Sequence, residues 1–486
     1  MTAAAAGRRW QRGVFASTLV LVGAGLGLAS PGAAMASGAA AAAVEDGAGP
    51  TADDNAGPLA DHGAGPLAEG GPDRAAAPSH APRRFKLGIE LDANFRHSDD
   101  TRVAFHPAYL RAQETVDPGS HAEVSSVALL ADYDPAPLWH AHLRFNGVNL
   151  YYRNPTSTDH QYDLAELWVR FGRETRTAVE PEQPGLYLKL GKFERPERQQ
   201  DRHLQSYGLV GTAFDLFADA GLEAGADLGR HVFAKVVVSQ GNPLFVRDTN
   251  ALAGDTPELL EPYSEANLNG GLTILYDTHV ERLDFAHPQY AGYLGWRLGD
   301  PAGASGLQLM AWGRRRKLAA SVDLPGSSLG GDLETLQPLG APIVVPLRGN
   351  GKQEVGGDLW LYHASGLSLF AEYVDQLVAG LGRTGIEAEA AWKIDLPLVW
   401  AARGRQLFAY AAPAVRWSKL HNRFYNNPPT PEPSLAWDWE KVDGGVRFGI
   451  WAEVDLTVEY SWNRTVVRPG VTENENELLG TLRIRL

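Results

Sequence analysis

Two histidines and an arginine alternate in the stretch WHAHLRFNG, at His140, His142 and Arg144, with Trp139, Ala141, Leu143 and Phe145 on the opposite parity. On an extended chain, imidazoles two residues apart share a face. Such a pair can hold a transition metal once a carboxylate joins it, or gain charge as pH falls through the physiological range. One strand supplies only these two ligands and the sequence identifies no third, so no metal is assigned and the pair is read as solvated wall. A second constellation, Gly326-Ser327-Ser328-Leu329-Gly330, fits the Gly-x-Ser-x-Gly pattern of a hydrolase nucleophile. That chemistry needs a buried strand before the serine and a helix after it, whereas VDLPGSSLGGDLETLQPLG reads as a long polar loop. No catalytic residue and no cofactor is therefore expected.

The elements that must position these residues are strands. In WAEVDLTVEYSW, residues 451–462, Ala452, Val454, Leu456, Val458, Tyr460 and Trp462 fall on one parity, and Glu453, Asp455, Thr457, Glu459 and Ser461 on the other. FKLGIELDANF repeats the pattern, with Phe85, Leu87, Ile89, Leu91, Ala93 and Phe95 opposite Lys86, Glu90 and Asp92. The alternation runs on to the C-terminus through segments separated by turn signals such as DPAP, DPAG and NNPPTPEP. It divides into roughly 16 strands of about 10 to 15 residues, longer than the 5 or 6 usual in soluble sheets and matching the 9 to 11 that a tilted strand needs to cross a bilayer.

Composition is consistent with this. Charged residues make up 21% and the mean hydropathy is -0.24. No stretch after residue 36 offers the roughly 18 apolar residues of a spanning helix, but strands that hide polar side chains inside a barrel remain open. Arg8, Arg9 and Arg12 precede VFASTLVLVGAGLGLA and the small-residue site Ala34-Met35-Ala36, so residues 1–36 read as a signal peptide of an exported protein. Residues 37–82, rich in Ala, Gly, Pro and Asp with AGP recurring, read as a disordered periplasmic linker. Cysteine is absent, so an exported fold here relies on its core or on closed hydrogen bonding. The formal charge of -14 argues against nucleic acid.

Residues 83–486 are thus expected to form an all-β, transmembrane antiparallel β-barrel of about 16 strands (14 to 18), its apolar parity against outer-membrane lipid and its charged parity toward an aqueous lumen. Lys86, His140, His142, Arg144, Arg170, Lys189, Lys235, Arg314 and Arg316 are the candidate pore-lining residues, and acidic residues on the same parity nearly balance the basic ones. An inward Thr457 should then tolerate arginine. Leu478, Leu482, Ile484 and Leu486 line one face to the last residue, as in a closing strand. DRHLQSYGLVGTAFDLFADAG, residues 201–221, does not alternate, and reads either as a loop folded into the barrel or as a surface loop with a helical turn.

Within this frame, residues 184–245 resemble the phosphate-selective porin (O and P) family of Gram-negative outer membranes. The strand Leu186-Tyr187-Leu188-Lys189-Leu190 leads into Gly191-Lys192-Phe193-Glu194-Arg195-Pro196, which is similar to that family's Gly-Gln-Phe-Lys-x-Pro corner. GLEAGADLG at 221–229 and VFAKVVVSQGN at 232–242 are similar to the hairpin that follows it, with Gly241-Asn242 in place of Asn-Gly. Glu197-Arg198 replaces the usual Phe-Gly. The resemblance implies a 16-stranded, commonly trimeric barrel that passes small anions, phosphate among them, with lipid and solute as its partners. Two other functions fit the composition: a non-conducting structural barrel, and a soluble exported β-sandwich that stacks carbohydrate on its 13 tryptophans.

Overall fold

A computed structural model of the chain describes residues 85–99, 102–103, 113–114, 119–136, 138–149, 163–200, 202–214, 218–241, 244–246, 275–276, 285–300, 304–317, 350–378, 380–396, 401–402, 405–423, 438–451, 453–468 and 471–486. The expected signal peptide and linker, the Gly326–Gly330 motif and NNPPTPEP lie outside the described residues.

Sixteen strands close into a single antiparallel barrel. They are β1 (Phe85–Ser98), β2 (Gly119–Ala136), β3 (Trp139–Asn149), β4 (Asp163–Gly172), β5 (Leu186–Phe193), β6 (Asp219–Asp227), β7 (Val232–Ser239) and β8 (Gln289–Gly299) in the first half. The second half holds β9 (Gly306–Lys317), β10 (Gly351–Tyr362), β11 (Leu367–Val378), β12 (Leu381–Trp392), β13 (Tyr410–Asn422), β14 (Asp438–Trp451), β15 (Val454–Arg468) and β16 (Val471–Arg485). Between β5 and β6 lies one short helix, α1 (Leu209–Phe214). Among the described residues no helix is long and apolar enough to cross a membrane.

Each strand pairs with the next, and β16 returns to β1 with Arg485 opposite Glu90 and Glu477 opposite Ser98. No edge is left to pair elsewhere. The seam ends on Leu486, whose N–H donates to the Ile89 carbonyl at 2.8 Å while its own carbonyl accepts from Ile89 N–H at 2.9 Å. Deleting Ile484 to Leu486 would leave these backbone groups facing lipid, where nothing can satisfy them. The truncated chain is expected to give a lower yield of assembled, heat-modifiable barrel on gels, and normal assembly would contradict this role for the seam.

The burial pattern is that of a soluble protein turned inside out. On β15, Asp455, Thr457, Glu459 and Ser461 are buried while Val458 and Trp462 are 42% and 51% exposed. On β1, Glu90, Asp92, Asn94 and Arg96 are buried and Phe85, Leu87, Ile89 and Phe95 exposed. A β-sandwich buries the apolar faces of two sheets. The single closed sheet with its apolar face outward is a transmembrane barrel and removes the soluble sandwich reading. Exposed aromatics gather at both rims. Phe85 meets Tyr133 (6.4 Å between ring centroids) and Trp139 meets Phe171 (5.2 Å) at the rim that carries the barrel's two chain ends. Tyr460 and Trp462 meet at 4.7 Å toward the opposite rim. Amphipathic rings in these places suit the interfacial girdles of a bilayer.

Candidate functional site

Two features shape the interior. The first is the stretch after β5, described at residues 194–200 and 202–214, which leaves the wall at β5 and crosses the lumen to the far wall formed by β12 to β16. An irregular backbone inside a barrel leaves N–H and C=O groups that need partners, and the far wall supplies both signs of charge. Carboxylates meet the N–H groups: Glu389 accepts from His203 N at 2.9 Å, Glu459 from Gln205 N at 2.8 Å and from Ser206 N, and Glu387 from Val210 N at 3.2 Å. Cations meet the carbonyls: Arg416 donates to Ser206 O at 2.6 Å and Tyr207 O at 3.2 Å, and Lys441 to Tyr207 O at 2.6 Å. Asp443 balances both cations, at 2.9 Å from Arg416 and 3.0 Å from Lys441.

Apolar packing completes the seat. Leu209, Val210 and Phe214 of α1 join Phe193, Tyr207, Val374, Leu420 and Trp439 in a cluster inside the otherwise polar barrel. Gly385 on β12 allows the close approach, since a Cβ there would lie 2.6 Å from the Phe214 ring. Of the two readings of residues 201–221, the structure takes the infolded loop.

The second feature is a cavity of about 660 Å³ on the other side of this loop, toward the rim with the chain ends. It is lined by ten Lys or Arg and eight side-chain carboxylates, a small basic excess. The connection 173–185 leans across it from β4 toward β8 and β9, held by Ala178 N donating to Gln308 at 3.1 Å and Gly299 N to Glu180 at 3.1 Å. Its Glu174 gathers three cations, Arg170 at 3.1 Å, Lys189 at 3.2 Å and Lys235 at 3.1 Å. Burial opposes the charge on Glu174, but Lys189, Lys235 and Arg170 outweigh it and hold the carboxyl well below the ordinary range.

Of the nine candidates, Lys86, His140, His142, Arg144, Arg170, Lys189 and Lys235 come together on this cavity. Arg314 and Arg316 are buried on β9 but do not line this cavity. Arg314 pairs with Glu197 of the infolded segment and with Glu354 at 3.3 Å, and Arg316 donates to His287 O at 3.1 Å. The anchors Arg416, Lys441 and Asp443 and the gathering residue Glu174 were not singled out from sequence. Inner parity was the available signal for the first three, since Arg416 and Ser418 in AVRWSK and Lys441 and Asp443 in EKVD alternate with outward residues.

No family model and no curated protein matches the sequence. Among solved structures, the outer-membrane channel DcaP of Acinetobacter baumannii superposes with a TM-score of 0.48 at 8% identity, over 83% of this chain and 97% of that one. OprB of Pseudomonas putida gives 0.46 at 12% identity, over 82% and 93%. An anion-selective porin from Comamonas acidovorans gives 0.44 at 8% identity, over 83% and 99%. At these identities and TM-scores the likeness assigns neither family nor function.

Proposed function

We propose that the chain is a porin-like channel of the Gram-negative outer membrane, passing small polar or anionic solutes by diffusion, phosphate among them, and assembling as a homotrimer. The observation that supports this is the interior: a charged wall around a cavity with a basic excess, narrowed by a loop that crosses the lumen. The resemblance over residues 184–245 adds the preference for phosphate and the trimer. Selectivity is set at Glu174, whose carboxylate masks Arg170, Lys189 and Lys235.

The test is planar-bilayer recording of the detergent-purified protein in salt gradients. Stepwise currents are expected, reduced by added phosphate if phosphate shares the path. Glu174→Gln should raise the anion-to-cation permeability ratio read from reversal potentials, because it removes the one charge that holds three cations. Absence of currents would favour the second reading, a non-conducting scaffold of the envelope, for which the dense seating of the loop on the far wall is the supporting observation.

A further inference from the structure

The β2–β3 hairpin carries a cluster that solute diffusion does not require. Asp132 on β2 stands opposite His142 on β3 in the ladder. Asp132 Oδ1 lies 2.8 Å from His142 Nδ1 and 3.4 Å from His140 Nε2, and one ligand atom from each of the three lies within 4.8 Å of the others. Ligands at about 2.0 to 2.1 Å from a tetrahedral zinc stand about 3.3 Å from one another. The two measured separations bracket that edge.

The surroundings match the way metal-binding imidazoles are oriented. His140 turns its other nitrogen, Nδ1, to Asp134 Oδ1 at 2.7 Å. A carboxylate can only accept there, so Nδ1 carries a proton, while His140 Nε2 and His142 Nδ1 both face Asp132, and a metal taking those two nitrogens displaces the protons they share with its carboxylate. Trp168 on β4 packs against both rings, at 5.3 Å from His142 with a 28° interplanar angle and 5.2 Å from His140. The cations nearby are drawn elsewhere, Arg144 to Glu90 at 2.8 Å and Arg170 to Glu174 at 3.1 Å. His142 Nε2 faces Glu166 Oε1 at 4.0 Å, which places a carboxylate on the side that must hold the proton when Nδ1 binds a metal. Asp132, His140 and His142 are all only partly buried and line the cavity, so a hydrated ion reaches them from the lumen.

We propose that Asp132, His140 and His142 bind a divalent cation of the zinc class, with its remaining position open to water in the lumen. Two imidazoles and one carboxylate suit zinc, nickel or copper and disfavour calcium and magnesium, which take oxygen ligands. Asp134 is the positioning residue for His140.

The experiment is calorimetric titration of the full chain, purified without a polyhistidine tag, with zinc chloride and with magnesium chloride. One zinc and no magnesium is expected per chain. His140→Gln with His142→Gln should abolish that binding, and Asp134→Asn should weaken it by about 10- to 100-fold. His421→Gln, at an exposed His–Asp pair on the opposite rim, should leave it unchanged. X-ray absorption at the zinc edge should show two imidazole nitrogens. Heat-modifiable migration checks that each variant has folded, and Asp134→Asn carries the test if the double variant has not. Failure to bind zinc, or a stoichiometry and affinity that survive both the double variant and Asp134→Asn, would overturn the proposal.

Discussion

Arginine at Val458 is expected to cost the folded barrel about 2 to 4 kcal/mol, the usual penalty for a guanidinium on the lipid face near the bilayer midplane. Val458 sits in the middle of the outward row Val454, Leu456, Val458, Tyr460 and Trp462, and it is exposed. The row itself marks where lipid ends, since the next outward residue, Arg464, is charged, 58% exposed and 3.6 Å from Glu440. The contrast is therefore built in: a charge is native at Arg464 and should be costly six residues earlier. Urea unfolding of the barrel in lipid vesicles measures it, as a fall in midpoint at unchanged slope. A loss under about 0.5 kcal/mol at Val458 would mean that this parity does not face hydrocarbon.

Removal of residues 202–214, with Asp201 joined to Asp215 by a short Gly-Ser link, should raise single-channel conductance several-fold. The loop spans the lumen, so its loss widens the path at that level. The barrel should survive, because Glu387, Glu389, Glu459, Arg416 and Lys441, freed of the loop, would face water and not hydrocarbon, and hydrated charges carry no burial penalty. A deletion barrel that folds and conducts no more than the parent chain would show that this loop does not limit flow.

Much of the wall was legible in the sequence because the two-residue period is local. Asp455, Thr457, Glu459 and Ser461 could be set against Val458 and Trp462 by counting alone, and the structure buries the first set and exposes the second. What lies between walls was not legible. Thr457 reads as an inward position that would accept arginine, yet it is buried opposite Arg447 in the ladder, where a second guanidinium would meet like charge. Inward-facing is not the same as spacious once a loop occupies the lumen.

The third member of the histidine cluster escaped for a related reason. Asp132 meets His142 only through the β2–β3 register, which shifts between Tyr133 and Ala136. No reading of either strand by itself fixes that offset. The near balance of inward charges was countable, whereas the convergence of Arg170, Lys189 and Lys235 on Glu174 depends on how 173–185 bends inward. The non-alternating 201–221 could be recognised as something other than a wall strand. Its docking partners could not, since they lie in the second half of the chain.

That distance has a temporal consequence. The hydrogen bonds that seat the loop on the far wall join residues 170 to 278 positions apart, from Ala213 with Arg383 to Gln205 with Arg483. When residue 214 has been synthesised, none of those acceptors and donors has yet followed it. Contacts across such separations carry a large chain-closure cost and form late. The sheet must find its register unaided, and the lumen takes its final width only after the ring is complete. Substitutions at Arg416, Lys441 or Glu459 should then hasten departure from the native state while leaving the rate of reaching it nearly unchanged.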